Sequence, residues 1–535
     1  MSLSEESKFE IGQRVHSVSD SRRIGTVMYV GPVDGYSGTW VGVDWDNGNG
    51  KHDGTVKGVR YFRTSAEQSG SLVRSHTISK GVSFIDALAR RYTCETTKEE
   101  EDEMYVYSMR KKRVAIQLLG KDKVQEKFSR FEELEHASLA YLGVSSPGPQ
   151  HAIHGVIPNL KNLDLTGNLL SQWKDVNSIC EELPALEVLD LTNNRMSHDV
   201  SGISSLRNIR ILVLNNCSIT WKQVDVLKHS LPALEELHLM SNGLMRIEAE
   251  PHVASCSYVE GFEHLRILNL EDNLIGLWDE IMKFSQLKSL EQLRLSKNNL
   301  KSISYPAVRP HHDSVPGEPF KNLCCLLLGG NKIEDLSSVD SLNHFPNLRD
   351  VRLSDNPIVD PAKGGIQRFA LIARLTNVTM LNGSEVSAKE RKDAEIRYVH
   401  LVMANMQLDK QEEIREKHPR FFELKKLHGI DDEKQSSATA GSQKMASGLM
   451  SITLKCIGAS INEKPPLTKK LPATTTVGKL MVLCISFFKL KAVKPRLFLQ
   501  EEGRATPLLL DDDMESLADL RLPSNGGTIL VDEEV

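Results

Sequence analysis

Leucines recur at a regular spacing through the central part of the chain. The pattern L-x-x-L-x-L-x-x-N-x-L occurs eight times between Leu160 and Ile358, and successive copies begin 23 to 33 residues apart. Because alternate side chains of a strand point to one side, each copy predicts a short strand whose leucines point inward. We expect the asparagine amide to bond backbone groups of neighbouring coils. Cys217 takes the asparagine position in the third copy, and we interpret it as structural rather than reactive.

Most of these steps fall within the ~20–29 residues of leucine-rich repeats, which the segment 148–384 resembles. Stacked repeats predict an α/β solenoid with helical caps and a concave parallel sheet. The variable positions are mixed in charge and contain no catalytic constellation, so they favour a protein partner over nucleic acid. The residues expected to line the concave face are Asn162, Asp164, Val188, Asp190, Arg210, Val213, Glu236, His238, Ile267, Asn269, Gln292, Arg294, Cys325, Leu327, Asp350 and Arg352.

Two of the longer steps hold extra loops, Ile247–Gly261 and Ser304–Phe320. The second loop contains His311, His312 and Asp313. A metal site is one interpretation of these three residues, but no further ligand at zinc-type spacing accompanies them. A solvated loop is therefore favoured.

A glycine-rich run precedes the repeats. Gly50-Lys51-His52-Asp53-Gly54 lies between Trp40 and Tyr61-Phe62. Glycine allows positive φ and close backbone approach, lysine supplies a point charge, and aromatic rings supply a flat apolar wall. From Gly50 to Arg74 there are five bases and two acids, in a chain whose net charge is −5. This combination suits an acidic, aromatic-ended peptide tail; the alternative is a small β-domain whose glycines serve only turns.

The segment Ile11–Ile78 resembles the CAP-Gly domain, whose signature is Gly-Lys-Asn-Asp-Gly. The resemblance implies a small all-β barrel that binds acidic peptide tails. Three positions depart from the family pattern: His52 replaces asparagine, Gly35 stands where many members have an aromatic residue, and Leu72 replaces phenylalanine. We expect His52 to act as a neutral hydrogen-bonding group rather than as a pH sensor. The candidate peptide-binding residues are Trp40, Gly50, Lys51, His52, Asp53, Gly54, Tyr61, Phe62 and Arg74.

The expected domain boundaries follow from changes in composition and period. Residues 1–96 form the CAP-Gly domain, and 97–147 hold an acidic linker, Lys98–Glu103, with an N-terminal cap of the repeats. In that cap we expect a strand at Val114–Leu119 and a helix at Lys121–Ala140. Residues 385–430 read as a helical C-terminal cap, with helix from Ser387 to Leu427, and 431–447 as a flexible linker.

Residues 448–535 have the pattern of a compact α+β domain. Leu449–Ile457 and Leu467–Pro472 predict a hairpin, and Val477–Phe488 predicts a helix. Two further strands are expected at Arg496–Gln500 and Thr528–Val531, with Gly526-Gly527 as a turn before the last. This order resembles a ubiquitin-like (β-grasp) domain. Since the chain ends in Val535 rather than in diglycine, we expect a docking module and not a conjugated modifier.

Composition narrows the function classes. The chain has 535 residues, enough for several domains, and 40% hydrophobic and 26% charged residues are ordinary for globular proteins. Eight scattered cysteines form no CxxC pair, which favours reduced thiols in the cytosol. We expect no signal peptide, no membrane span of about 18 apolar residues, no metal and no cofactor. An enzyme is disfavoured because phosphate loops and nucleophile elbows are missing from the sequence.

The three modules, in this order, resemble the architecture of the tubulin-folding cofactor E family. The resemblance implies a cytoplasmic, cytoskeleton-associated chaperone. Its implied partners are α-tubulin, the αβ-tubulin dimer and tubulin-folding cofactors B, C and D, and the ubiquitin-like domain would dock a further partner such as the proteasome. An alternative is an adaptor that links tubulin or microtubule tips to another partner; it should pellet with polymerised microtubules, whereas a cofactor should bind free tubulin.

Overall fold

The computed structural model describes residues 9–92, 105–107, 113–115, 131–248, 258–305, 318–405, 411–430, 449–457, 466–472, 475–488, 495–500, 507–510, 517, 520 and 527–532. Internal contacts divide the chain into two compact units, Met1–Gly429 and Ile430–Val535. The acidic run, the loop with His311, His312 and Asp313, and the linker 431–447 lie outside the described residues.

The first unit begins with a small all-β domain. A five-stranded antiparallel sheet has the strand order Gly70–Val73, Tyr36–Trp45, Ile24–Val33, Arg14–Ser17 and Ile78–Ser79. Its core is made of apolar side chains that include Val15, Val27, Val41, Val43 and Trp45. The strands are β1 Arg14–Ser17, β2 Ile24–Val33, β3 Tyr36–Trp45, β4 Thr55–Val56, β5 Val59–Arg60, β6 Gly70–Val73 and β7 Ile78–Ser79, with a 3-10 turn at Ser75–Thr77.

The repeats form a parallel sheet, so the predicted solenoid is confirmed. Each repeat strand is three residues long, and its middle leucine or valine is buried while both neighbours stay at least partly exposed in nearly every case. The eight repeat strands are β13 Asn162–Asp164, β14 Val188–Asp190, β15 Ile211–Val213, β16 Glu236–His238, β17 Ile267–Asn269, β18 Gln292–Arg294, β19 Cys325–Leu327 and β20 Asp350–Arg352. The outward-facing positions form what we term the open face of the sheet.

Further elements complete this unit. The remaining strands are β8 Val82–Ser83, β9 Tyr105–Tyr107, β10 Arg113–Ala115, β11 His136–Ser138, β12 Val144–Ser146, β21 Met380–Leu381 and β22 Ser384–Glu385. The helices are α1 Phe84–Tyr92, α2 Trp173–Glu181, α3 Trp221–Leu227, α4 Trp278–Met282, α5 Leu336–Ser341, α6 Arg368–Arg374, α7 Ala388–Asn405, α8 Gln411–Lys417 and α9 Phe421–Leu427. Short 3-10 turns lie at Phe131–Glu133, Lys228–Ser230, Leu342–His344, Pro357–Val359 and Pro361–Lys363.

The repeat asparagines hold adjacent coils together as the sequence predicted. The Asn298 amide nitrogen donates to Leu270 O at 2.8 Å and to Leu295 O at 3.1 Å, and its carbonyl oxygen accepts from Ile275 N at 3.0 Å. The Cys217 thiol donates in the same way to Leu191 O at 3.0 Å. Burial raises the pKa of this thiol to about 12. Cys217 is therefore a protonated structural donor, since a reactive cysteine needs a thiolate.

Two sequence predictions for this unit are corrected, the helix at 121–140 and the place of Arg210 on the open face. The predicted helix 121–140 is wrong at its C-terminal end, because His136–Ser138 forms β11, which pairs with β13 and extends the repeat sheet; residues 116–130 lie outside the described part. Phe84 and Leu88 of α1 lie in the core of the repeats, so this helix packs with the array although it falls within 1–96. Arg210 precedes β15, and Ile211 takes its place on the open face.

The C-terminal cap closes the array through a buried polar network. The predicted helical stretch 387–427 contains α7, α8 and α9. The Arg374 guanidinium at the end of α6 pairs with Asp340, donates to the Tyr398 hydroxyl at 2.9 Å and to Lys417 O at 2.6 Å. The side chain of Arg374 is only 3% exposed. One arginine thus joins the last repeat to two cap helices.

The second unit has the β-grasp fold predicted for it. Its elements are β23 Leu449–Cys456, β24 Leu467–Pro472, α10 Val477–Phe488, β25 Arg496–Gln500, β26 Leu508–Leu510 and β27 Gly527–Asp532. The sheet order is β24-β23-β27-β25-β26, with β23 and β27 parallel at its centre. The strand β26 was not predicted from the sequence. Gly527 lies inside β27, opposite Ile452, and not in a turn before that strand.

Within the part of the chain that the structure describes, no helix combines the length and apolar character needed to cross a bilayer.

Candidate peptide-binding groove on the N-terminal domain

The floor of the candidate groove is the face of the β2–β3 hairpin opposite the valine core. Tyr29 pairs with Gly42 and Gly31 pairs with Trp40 in this hairpin. A Cβ on Gly42 would lie 2.5 Å from the Phe62 ring and 2.9 Å from Tyr29 Cβ. Only glycine at position 42 therefore lets both aromatic residues lie directly on the sheet.

The loop 50–54 is fixed against the edge of β6. Lys51 N donates to Gly70 O at 2.6 Å, and Gly70 N donates to His52 O at 2.9 Å. Both end glycines are sterically required. A Cβ on Gly50 would lie 2.3 Å from Ser69 C, and one on Gly54, whose φ is +90°, would lie 2.1 Å from Phe62 O.

His52 stabilises the loop from within. Its Nδ1 accepts a hydrogen bond from Gly54 N at 3.0 Å, as an asparagine oxygen could, and its ring meets the Phe62 ring edge-on with centroids 5.9 Å apart. Burial lowers the pKa of His52, with Lys51 adding to the effect and Asp53 opposing it. The ring is therefore neutral at neutral pH, which agrees with the hydrogen-bonding role expected from the sequence.

Asp53 is engaged within the loop rather than directed at a ligand. Its carboxylate accepts from Thr55 N at 3.0 Å and pairs with Arg60 at 2.7 Å. The hydrogen bonds from Thr55, followed by the charge of Arg60, lower the pKa of Asp53. Asp53 remains a carboxylate and shapes the turn that follows Gly54.

Four residues of the same domain form a ladder in which two aromatic rings in contact are each covered by a cation, here termed the Trp40 ladder. Arg74 Cζ lies 3.8 Å from the centre of the Trp40 ring, and Tyr36 meets Trp40 edge-on at 5.7 Å. Lys57 Nζ lies 4.5 Å from the centre of the Tyr36 ring. A cation that lies over the face of an aromatic ring is attracted to that ring electrostatically. Tyr36 thus supplies the aromatic ring that Gly35 lacks.

Tyr61 forms the other wall of the groove. Its ring lies 5.4 Å from that of Tyr29, and its hydroxyl oxygen accepts from Asp34 N at 2.9 Å. Phe62 beside it is buried, with 6% of its surface exposed. Phe62 therefore supports the floor, whereas Tyr61 is half-buried and keeps part of its ring accessible.

Lys51 differs from Arg60 and Arg74, which have partners within the domain. Its side chain is exposed and makes no hydrogen bond or ion pair with any residue that the structure describes. Arg74, by contrast, is held over Trp40 and donates to Thr39 O at 3.4 Å. One cation is thus available to a ligand, and a second is already positioned by an aromatic ring.

The structure brings some of the predicted candidate residues into contact and adds neighbours that were not among them. The predicted residues His52, Phe62 and Gly54 are in mutual contact, and Arg74 contacts Trp40. Three neighbours of these residues, Tyr29, Tyr36 and Lys57, are absent from the candidate peptide-binding residues predicted from the sequence, although Lys57 is one of the five bases counted there. The signal that could have found Tyr29 is the hairpin register around Asp34 and Gly35, which sets it opposite Gly42.

Comparison with known proteins covers both a domain and the whole chain. Residues 11–78 match the family model of the CAP-Gly domain. The chain is 56% identical over 528 residues to tubulin-folding cofactor E of Arabidopsis thaliana, covering 98% of each chain. It is 32% identical over 505 residues to tubulin-specific chaperone E of Danio rerio, covering 91% of this chain and 92% of that protein. A solved structure, the C-terminal ubiquitin-like domain of mouse tubulin-specific chaperone E, is 24% identical with a TM-score of 0.16; the match covers 18% of this chain and 96% of that domain.

Proposed function

Because the chain belongs to the tubulin-folding cofactor E family, we propose that it is a tubulin chaperone that binds α-tubulin at two places. The groove of the N-terminal domain takes the acidic C-terminal tail of α-tubulin, and the open face of the repeats takes the folded body. The related proteins are named as folding cofactors and chaperones. The activity proposed is therefore binding and remodelling of tubulin in αβ-dimer assembly and dissociation, in the cytoplasm and without a catalytic step.

The observation that carries the tail-binding proposal is that one small domain presents both the exposed Lys51 cation and the Trp40 ladder. Acidic side chains of the tail would pair with Lys51 and with the outer edge of the Arg74 guanidinium, since charge-assisted hydrogen bonds are stronger than neutral ones. The terminal aromatic ring would lie among Trp40, His52 and Tyr61. Gly50, Asp53, Gly54 and Phe62 would act indirectly, because they set the shape of the loop and floor.

We expect Lys51→Ala to weaken binding of an α-tubulin tail peptide by about 1–3 kcal/mol, the range for a lost charge-assisted contact. Stability should not change, because the Lys51 side chain is exposed. Isothermal titration calorimetry of the full chain at moderate salt measures the effect. Arg207→Ala is the matched control, since it removes an exposed positive charge from a remote repeat. Equal affinities for Lys51→Ala and the unmodified chain would remove Lys51 from the proposed site.

The second contact is proposed for the open face because a tail captured by one groove offers too little area to strain a folded subunit. A chaperone shifts a conformational equilibrium only by binding two conformations unequally. The open face carries charged residues such as Asp190 and Arg352 and apolar ones such as Ile211. Engaging tail and body on one chain also raises the effective concentration at each site.

Reversing a charge on the open face is expected to weaken the contact with the tubulin body and to leave the contact with the tail unchanged. Arg352→Glu should weaken binding to α-tubulin that lacks its tail several-fold, because it replaces an attraction across the interface by repulsion between like charges, which slows association. Its affinity for the tail peptide should stay the same. Arg349→Glu is the control, since Arg349 is exposed but precedes β20 and so lies off the open face. Surface plasmon resonance with tailless α-tubulin and with the tail peptide measures both affinities. An equal loss of affinity for tailless α-tubulin in Arg352→Glu and Arg349→Glu would contradict a site for the tubulin body on this face.

The ubiquitin-like domain is proposed as a docking module for a further partner, such as tubulin-folding cofactor B, C or D or the proteasome. Its position in a separate compact unit supports an independent role. A chain lacking residues 448–535 should keep its affinity for isolated α-tubulin and lose at least one of these partners in a pulldown. Loss of α-tubulin with all other partners retained would assign the domain to the tubulin site instead.

A further inference from the structure

The N-terminal domain and the first repeats meet at a polar junction. Asp46 follows β3, and its carboxylate accepts hydrogen bonds from the two terminal nitrogens, Nη1 and Nη2, of Arg14 in β1. Arg195, from the second repeat, approaches the same carboxylate at 3.5 Å. A cavity of about 190 Å³ opens at this point. Its lining residues are Arg22, Ile24, Asp46, Asn47, Tyr141, Asn193, Arg195 and Asn216.

On the side of the repeats, this cavity is lined by residues that occupy the same backbone position in successive coils. Tyr141, Asn193 and Asn216 all have positive φ, at 59°, 59° and 53°, and Gly167 takes the same conformation between the first two. A Cβ on Gly167 would lie 2.1 Å from the Tyr141 ring. The missing side chain lets the Tyr141 ring lie over Gly167 and reach the next coil.

Hydrogen bonds orient the polar groups along this row. Asn193 Nδ2 donates to the Tyr141 hydroxyl at 3.1 Å, and Asn216 Nδ2 donates to Asn193 Oδ1 at 2.8 Å. From the facing domain, Arg22 Cζ lies 5.3 Å from the centre of the Tyr141 ring. The row is therefore ordered by contacts within the protein, while Asn216, Arg195 and Arg22 remain exposed.

The charge of the cavity is positive. Asp46 is its one carboxylate, and Arg14 already pairs with both oxygens of that group. Arg195 makes only a long contact with Asp46, and its side chain is 42% exposed. Two guanidinium groups, those of Arg22 and Arg195, thus line a recess whose other polar lining is the paired Asp46 carboxylate, the Tyr141 hydroxyl and asparagine amides. Arginine favours planar carboxylates because its donors lie in a fixed fork.

We propose that this junction cavity is a second acidic-peptide site, which binds glutamate or aspartate side chains of an internal peptide segment through Arg22 and Arg195. The site differs from the groove in chemistry: it offers two guanidinium groups to carboxylates, and its lining contains one aromatic ring, that of Tyr141, which Arg22 already covers. It also contacts both the N-terminal domain and the repeats, so a bound segment holds the two together. A ligand that binds only the joined arrangement stabilises it by mass action.

The test uses the full chain and an amidated hexaglutamate peptide, which has neither an aromatic residue nor a free terminal carboxylate. The double variant R22Q/R195Q should lower its affinity at least about fivefold in calorimetry at moderate salt. Asn216→Asp should lower it as well; this change keeps all arginines and the positive φ, which aspartate tolerates, and adds a negative charge to the cavity. The control R207Q/K222Q removes the same number of charges from exposed positions elsewhere in the third repeat and should bind as the unmodified chain does.

Two results would overturn the proposal. One is unchanged hexaglutamate affinity in either cavity variant, and the other is an equal loss in R207Q/K222Q, which would mean unspecific charge attraction. Lys51→Ala separates this site from the groove: it should weaken the α-tubulin tail peptide and leave hexaglutamate binding unchanged. Hexaglutamate binding that depends on Lys51 and not on Arg22 and Arg195 would place the peptide in the groove and contradict the second site.

Discussion

Gly54→Ala is expected to reduce binding of the α-tubulin tail peptide by at least about tenfold. Residue 54 has φ of +90°, and a Cβ there would lie 2.1 Å from Phe62 O, a backbone atom that cannot rotate away. A non-glycine residue in such a conformation costs about 1–3 kcal/mol by itself, and the overlap adds to it. The loop must therefore move, and it takes with it His52, whose Nδ1 accepts from Gly54 N.

Gly58→Ala is the matched control for this prediction. Gly58 has φ of +82°, but a Cβ there meets no atom within 4 Å. The two variants share the backbone strain and differ in the overlap with Phe62. Calorimetry of the tail peptide should give near-normal binding for Gly58→Ala and little or none for Gly54→Ala. Comparable affinities for the two variants would show that the Gly54–Phe62 contact does not shape the groove.

Arg374→Met is expected to destabilise the C-terminal cap by about 3–5 kcal/mol, the range for breaking a buried ion pair. The change leaves Asp340 without the partner that approaches it at 2.9 Å and 3.1 Å, and it removes one hydrogen-bond donor from the Tyr398 hydroxyl and one from Lys417 O. Burial already raises the pKa of Asp340 against the opposing effect of Arg374. Without Arg374 the carboxyl should therefore take up a proton more readily.

Urea unfolding and amide hydrogen exchange of the cap helices measure this loss. Arg415→Met is the control, because Arg415 is exposed and lies 5.3 Å over the Phe422 ring. The double variant R374M/D340N should recover part of the stability, since it no longer buries an unpaired carboxyl group. A loss below about 1 kcal/mol for Arg374→Met would mean that the cap does not depend on this ion pair.

The repeat strands could be predicted from the sequence because the leucines are buried and the asparagines form the same hydrogen bonds in nearly every coil. Each leucine is buried by its own position in the strand, and Asn298 and its equivalents bond the coils on either side. Gly50 and Gly54 could be singled out from the sequence, since glycine is the default residue at positive φ and where the backbone closely approaches another group. A three-residue strand outside the repeat motif, such as β11, is too short for its hydrophobic periodicity to distinguish a strand from a helix.

Contacts between distant segments were not predictable from the sequence. The approach of Arg195 to Asp46 joins residues in two different modules, and nothing in local composition pairs them. The same holds for α1, whose Phe84 and Leu88 could have packed against either neighbour. The ladder of Tyr36, Lys57, Trp40 and Arg74 depends on hairpin register and loop path together. Such features follow from the assembled fold and not from periodicity.

The terminal aromatic residue of the α-tubulin tail provides the most direct measurement. Two tail peptides, with and without that residue, are titrated calorimetrically into the full chain and into Gly54→Ala. Burial of an aromatic ring contributes about 1.5–3 kcal/mol, so its removal should weaken binding to the unmodified chain at least about tenfold and make little difference to Gly54→Ala. Equal affinity of the unmodified chain for the two peptides would contradict tail capture by the groove of Trp40, His52 and Tyr61.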